Sequence, residues 1–441
     1  MKKVENSTKN MAVPFMVVAL LFAMFGFVTF ATGGLNGILE ETFNLTKGGW
    51  QSQLVFFAFF FACLVSANAS SWVVNRVGYK KGMSVGIAII GLGSFLFVPA
   101  ALYKSFLFFL GALFVTGVGN TLTQTAVNPY ITILGPIDSA ARRISFMGIM
   151  NKFAGGLAPV ILASAIAFAP TATQNEKLAQ ISTTYWWITA VFAVAAILML
   201  LVKMPELSQG EKSADKANDK PTGKLTDYPH LLLGVVTLFL YVGIETMVMG
   251  QSKVIGEAYG MTMEHTKFYN ALGSYGLIVG YIIGIIFIPK YLSQSKALAL
   301  VAGSGILLSI VGMLVPASTV VSFPFVNLVG FESTQLVIPV KVLLFAAMGF
   351  SCSLVWPAVW PLAMDGLGSY IKSAAGWMML AVVGGAVYPV LWGIFNESGY
   401  PGSAFILGLI SFAMIFFYGT VGYKMRRAKT STPEIAHEKV C

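Results

Sequence analysis

Apolar runs of about twenty residues recur twelve times along this sequence, and no other feature constrains its fold as tightly. A bilayer core about 30 Å thick takes about 20 helical residues to cross. Inside it every backbone N–H and C=O must find a partner within the protein, so a single spanning run has to be a helix. Hydropathy places the runs at 12–38, 52–75, 82–102, 106–133, 144–168 and 184–203, and then at 229–252, 268–289, 297–318, 338–364, 373–395 and 402–424. Only 10% of residues are charged and the mean hydropathy is +0.77, against about 25% charged in a soluble domain. The expectation is an all-α membrane protein of twelve transmembrane helices in two six-helix bundles.

Between the sixth and seventh runs lies a segment rich in Lys, Asp, Ser and Pro (EKSADKANDKPTGK) that resists burial. It divides the chain into an N-terminal bundle (1–203), a linker (204–228) and a C-terminal bundle with a short tail (229–441). Placing both termini and this linker on one side collects 21 of the 28 Lys and Arg residues there, which the positive-inside rule identifies as the cytoplasm. Lys47, Lys104, Lys177, Lys253 and Lys267 fall on the other side, and Lys152 and Lys341 lie inside runs. No cleavable signal is expected at the N-terminus, because the first run is too long for one. The net charge of +10 is thus a topology signal, scattered through short loops with no patch suited to nucleic acid.

The two halves resemble each other in parallel order. LGPIDSAA (Leu134 to Ala141) returns as LGSYIKSAA (Leu367 to Ala375), and GGLAP (Gly155 to Pro159) as GGAVYP (Gly384 to Pro389). A repeat of this kind predicts two bundles related by an axis along the membrane normal, with a substrate site near the midplane between them.

Of the acidic residues, only Glu245 in FLYVGIETMVMG is expected deep within a span, about 22 Å from its inner end at 1.5 Å per residue. A carboxylate there costs at least a few kcal/mol unless it is protonated, paired or facing water, which makes it a functional candidate; a structural hydrogen bond to a neighbouring helix is the plainer alternative. Lys152, about 12 Å into its span, either snorkels to the interface or pairs with a carboxylate or touches substrate. Lys341 lies within a turn of its outer helix end and is expected to snorkel.

Six carboxamides, Asn36, Gln53, Asn120, Gln124, Asn128 and Asn151, fall in spans of the first half. Amides donate to and accept from hydroxyls, as binding an uncharged polyol requires, although each could instead join neighbouring helices. Gln124 and Asn128, four apart, share a helix face. Trp356 and Trp360 do likewise in the second half, and Trp377 follows in the next span, offering aromatic faces to a sugar ring. Pro129 and Pro357 interrupt backbone hydrogen bonding in the helices that carry these residues, a defect tolerated where a helix lines a cavity.

Cys63, Cys352 and Cys441 form neither a disulfide framework nor a metal cluster, and no GxxxxGK, HExxH or GxSxG pattern occurs. Neither an enzyme nor an ATP-driven pump is expected from this polypeptide. No cofactor is implied, and the chain is expected to work as a monomer.

NRVGYKKG (Asn75 to Gly82) resembles the loop motif of the major facilitator superfamily, with Asn75 where an acid is usual. The stretch GNTLTQTAVNPYITILGPIDSAARRISFMGIMNKFAGGLAP (Gly119 to Pro159), with FATGGLN (Phe30 to Asn36) and FLYVGIET (Phe239 to Thr246), is similar to the fucose, glucose/galactose and N-acetylglucosamine permeases of that superfamily. The resemblance implies import of a neutral sugar coupled to a proton or sodium ion, by alternating exposure of a site between two bundles. It carries Asn151 over as a sugar ligand. Two carboxylates that fucose permeases use are replaced here by Gly37 and Gln124, and a glutamine by Gly148. Glu245, with Lys152 as a possible partner, is therefore the expected coupling group, and Asn36, Gln53, Gln124, Asn128, Asn151, Trp356 and Trp377 are the expected substrate-site residues. A passive sugar facilitator, a sugar-sensing receptor and a channel are the competing classes; the short tail argues against the receptor and the lack of a filter-like segment against the channel.

Overall fold

A computed structural model describes residues 12–134, 140–169, 171–205, 224–266, 268–288, 291–327, 332–367 and 371–426. Among them are twelve helices long and apolar enough to cross a membrane. The first half comprises α1 (Ala12–Phe43), α2 (Trp50–Val77), α3 (Tyr79–Leu102), α4 (Phe106–Ile133), α5 (Ala140–Ala165) and α6 (Gln174–Leu201). The second begins with α7 (Pro229–Gly250), continues through a short α8 (Ser252–Ala258), and then has α9 (Tyr269–Phe287) and α10 (Gln294–Leu314). Its last spans are α11 (Val340–Cys352) with α12 (Val355–Met364), α13 (Ile371–Leu380) with α14 (Gly384–Glu397), and α15 (Ser403–Thr420).

Helix ends follow local chemistry. Ser105 caps α4 by accepting from the Phe108 amide, and Thr173 and Glu176 close a reciprocal capping box on α6. The tenth span is broken at Ser353 and Leu354 because Pro357, lacking an N–H, cannot bond the carbonyl four residues earlier. Trp187, Leu201, Leu300 and Leu307 are exposed apolar side chains on α6 and α10, as lipid-facing helices require.

One expectation needs correcting, and one element was not anticipated. The first span runs on to Phe43, so Glu40, placed by hydropathy in a loop, lies on the helix and is buried. The segment before the tenth span also folds, as an antiparallel hairpin of β1 (Val320–Asn327) and β2 (Glu332–Pro339), with Phe323 opposite Leu336. Its β-branched and aromatic residues favour a strand, and Phe325, Leu336 and Ile338 bury its inner face.

Paired glycines show how the halves correspond. A Cβ on Gly155 would meet Phe30 of α1 in its own half, and one on Gly156 would meet Ser274 of α9 in the other. In α14, Gly384 abuts the Phe239 carbonyl of α7 in its own half, and Gly385 abuts Phe60 of α2 across the seam. The same motif thus makes the same pair of contacts twice, matching α1 with α7, α2 with α9 and α5 with α14. The other repeated segment lies largely outside the described residues, in 135–139 and 368–370.

Candidate functional site

Lys152 and Glu245 form an ion pair between the halves, with Nζ 2.9 Å from Oε1 and both side chains about nine-tenths buried. Lys152 projects from α5 about 18 Å along the helix from its first residue, and Glu245 from α7 about 24 Å from its own. Both are therefore deep in the bilayer. The long lysine stem is spent on crossing to α7 rather than on reaching an interface, and its ammonium also sits 5.2 Å from the Phe30 ring centroid. Tyr241, one turn before Glu245, donates its hydroxyl to the same Oε1. The carboxylate thus has one charged and one neutral partner, the arrangement that makes a buried charge tolerable.

Aromatic residues continue this site. The Trp356 ring lies 6.4 Å from Tyr241 and stacks on Trp360 at 5.4 Å with a 26° tilt. Both tryptophans remain partly exposed. Tyr281 of α9 and Cys352 at the end of α11 stand within electrostatic reach of Glu245. The helix break at Ser353 and Leu354 sets Trp356 at the start of a fresh segment.

The predicted amides separate into levels. Asn151, beside Lys152, is buried and donates Nδ2 to the Phe22 carbonyl at 3.2 Å, holding α5 to α1. Asn120 donates to Thr29 at 3.2 Å, and its Oδ1 has no partner. Gln124 and Asn128 are partly exposed on α4. Trp377 is partly exposed on α13, which packs against α2 and α7. Asn36 and Gln53 are fully buried elsewhere, at the membrane end opposite the termini. Asn36 is six residues beyond Phe30, about 9 Å further along α1. Lys341 begins α11 at that same end, about 6 Å from the Tyr259 and Phe405 rings.

That distal end is shut. Gln251 donates to Gln53 across the seam, Asn396 Nδ2 donates to the Gly48 carbonyl at 3.1 Å, and Gly33 packs on Gly250 backbone. A Cβ on Gly49 would fall against the Glu397 carboxylate. No comparable packing joins α4 to α12 or α13 among the described residues, where Gln124, Asn128, Trp356 and Trp360 keep exposure. The structure is sealed distally, and the ion pair lies beneath the seal.

Tyr241, Phe30, Tyr281 and Cys352 escaped the sequence reading. The i, i+4 spacing of Tyr241 and Glu245 was the available signal for the first; the other three come from distant segments with no local mark. Glu40 and Glu257 also escaped it, and Lys253 was read only as a loop charge, because hydropathy puts all three outside the spans.

Residues 16–385 match the family model described as Major Facilitator Superfamily. The glucose/galactose transporter of Brucella abortus biovar 1 is 33% identical over 427 residues, covering 95% of this chain and 96% of its own length. The L-fucose-proton symporter of Haemophilus influenzae is 26% identical over 445 residues, covering 95% and 98%. The crystal structure of the E. coli fucose:proton symporter superposes with a TM-score of 0.65 at 21% identity, over 93% of this chain and 98% of that one, a likeness of fold.

Proposed function

This chain belongs to the Major Facilitator Superfamily, in the branch of the glucose/galactose and fucose transporters, and from that premise we propose that it imports a neutral sugar, a hexose or N-acetylglucosamine, by symport with a proton or sodium ion. The observation that carries the reading is the Lys152–Glu245 pair, buried between two membrane-spanning helices and shared by the two halves. Alternating access requires an element whose state both halves feel, and this pair is attached to both.

A cation that neutralises Glu245 ends its attraction for Lys152. The α5–α7 clasp then weakens, and the freed ammonium can donate to sugar hydroxyls. Asn151, Gln124 and Asn128 offer the amide donors and acceptors of the sugar site, and Trp356 an aromatic face beside the pair. Trp377 and the distal Asn36 and Gln53 complete the proposed set, the last two from the sealed distal end. The lysine-rich end is cytoplasmic and the membrane is the inner one.

One observation favours a passive facilitator as the second reading: the pair already balances its own charge and so holds together without an ion. Glu245→Gln in reconstituted vesicles separates the two. Symport predicts that gradient-driven accumulation is lost while sugar exchange persists; accumulation equal to wild type would remove Glu245 from the coupling role.

A further inference from the structure

The central pair leaves a second buried charge cluster unused. Glu40, near the distal end of α1, is 4% exposed, less than Glu245 at 7%. Its Oε1 accepts from the Gly48 amide at 2.8 Å, and Ser52, whose hydroxyl donates to the Gly49 carbonyl at 2.8 Å, stands close by. Among the described residues no cation stands within 4 Å of it.

From the other half, α8 brings Lys253 and Glu257 within electrostatic reach of Glu40. These two are 3.8 Å apart, Nζ to Oε1, and the ammonium rests against Gly37, 3.0 Å from where a Cβ would stand. With both carboxyls ionised, buried Glu40 and half-buried Glu257 have one ammonium between them, a net charge of minus one. The other charges nearby do not balance it. Glu41 pairs with Lys177 at 2.8 Å, Glu397 borders Gly49 with the same sign as Glu40, and Lys47 is exposed on the connecting turn.

A separate observation points to what fills the gap. Gln251 Oε1 and both amide atoms of Asn36 are buried without a hydrogen-bond partner. Gln251 reaches the cluster through a chain of contacts: its Nε2 donates to Gln53, and Gln53 donates at 3.3 Å to Ser52, which stands beside Glu40. Asn36 stands one turn before Glu40 on the same face of α1. Buried polar atoms without partners in a native protein call for an unseen ion or water, and carbonyl and carboxylate oxygens are the donors a hard cation takes.

We propose that Glu40, with Gln251 and Asn36, binds a monovalent cation, a proton or a sodium ion, at the distal seam. A charge of plus one balances the cluster, whereas a divalent ion would overshoot beside Lys253. Asn36 and Glu40 come from one half and Gln251, Lys253 and Glu257 from the other, so the site is whole only while the seam is shut. Its occupant favours the sealed form for that reason. The place of this site in transport rests on the symport reading; the binding itself does not.

Thermal unfolding of the purified full-length chain in detergent tests it. One arm titrates sodium chloride against choline chloride at constant ionic strength, and the other lowers the pH from about 8 to 5 without sodium. Wild type is expected to show a saturable rise in Tm in one arm, which names the ion. Glu40→Gln abolishes that rise and Glu41→Gln keeps it. Gln251→Met, which retains Glu40, weakens the response about tenfold or more in ligand concentration, and so guards against a folding failure in Glu40→Gln. A rise that survives in Glu40→Gln, or a wild type that responds in neither arm, overturns the proposal. Vesicles that fail to accumulate sugar while the Tm response remains would instead remove the symport reading and leave this site standing.

Discussion

At the scale of single residues, the centre of this molecule is a bond between two side chains that neither half could afford alone. Removing one member of a buried ion pair leaves the other uncompensated, at a cost of about 3–5 kcal/mol, whereas replacing both by apolar residues is often neutral. Lys152→Met and Glu245→Met are thus each expected to lower Tm strongly, and the double variant to recover most of the loss without recovering sugar accumulation. Additive losses in a thermal-unfolding cycle would show that the two charges do not depend on each other. Tyr241→Phe removes a hydrogen bond to a charged acceptor and is expected to cost about 1.5–3 kcal/mol in the same assay. Sequence reasoning found Glu245 and Lys152 because a charge in an apolar run is conspicuous. It could not choose between snorkelling and pairing, since that depends on how closely α5 approaches α7. Glu40 was hidden for the opposite reason, being adjacent to Glu41 at the edge of a run, where a charge is unremarkable.

At the scale of elements, small residues set how closely helices approach. A Cβ on Gly384 would collide with the Phe239 carbonyl, a backbone group that cannot rotate away. Gly384→Ala should therefore destabilise the second half by about 1–3 kcal/mol. Gly376→Ala, where a Cβ meets nothing within 4 Å, should leave Tm unchanged or slightly raised. Equal effects at the two positions would contradict the packing described here. Helix existence and order were legible because hydropathy alone encodes them. Span ends were less so, as with the five further residues of α1, because polar residues at a helix end lower the hydropathy without ending the helix. The hairpin at 320–339 went unread because a short β-branched stretch between two strong helices has no periodicity of its own to set against them.

At the scale of the whole molecule, the two bundles meet in a sealed distal face, and among the described residues no comparable packing joins α4 to α12 or α13. The Glu397 carboxyl reaches Gly49 across that face, so the double variant Gly49→Cys, Glu397→Cys sets one thiol on each side of it for oxidative cross-linking. Oxidation should arrest sugar exchange and reduction restore it; exchange that continues in the oxidised protein would mean that this face does not open during transport. The parallel relation of the halves was visible in the GG pairs of the fifth and eleventh spans. Their partners across the seam were not, because contact between halves depends on which side of the membrane is closed. The account as a whole turns on whether a gradient drives the sugar. Uptake of labelled glucose, galactose, fucose and N-acetylglucosamine into proteoliposomes, under separately imposed pH and sodium gradients, tests this most directly. Accumulation of one of these sugars above its external concentration under one gradient, collapsing when that gradient is dissipated, is the predicted result. Equilibration to the external level under both gradients would contradict it.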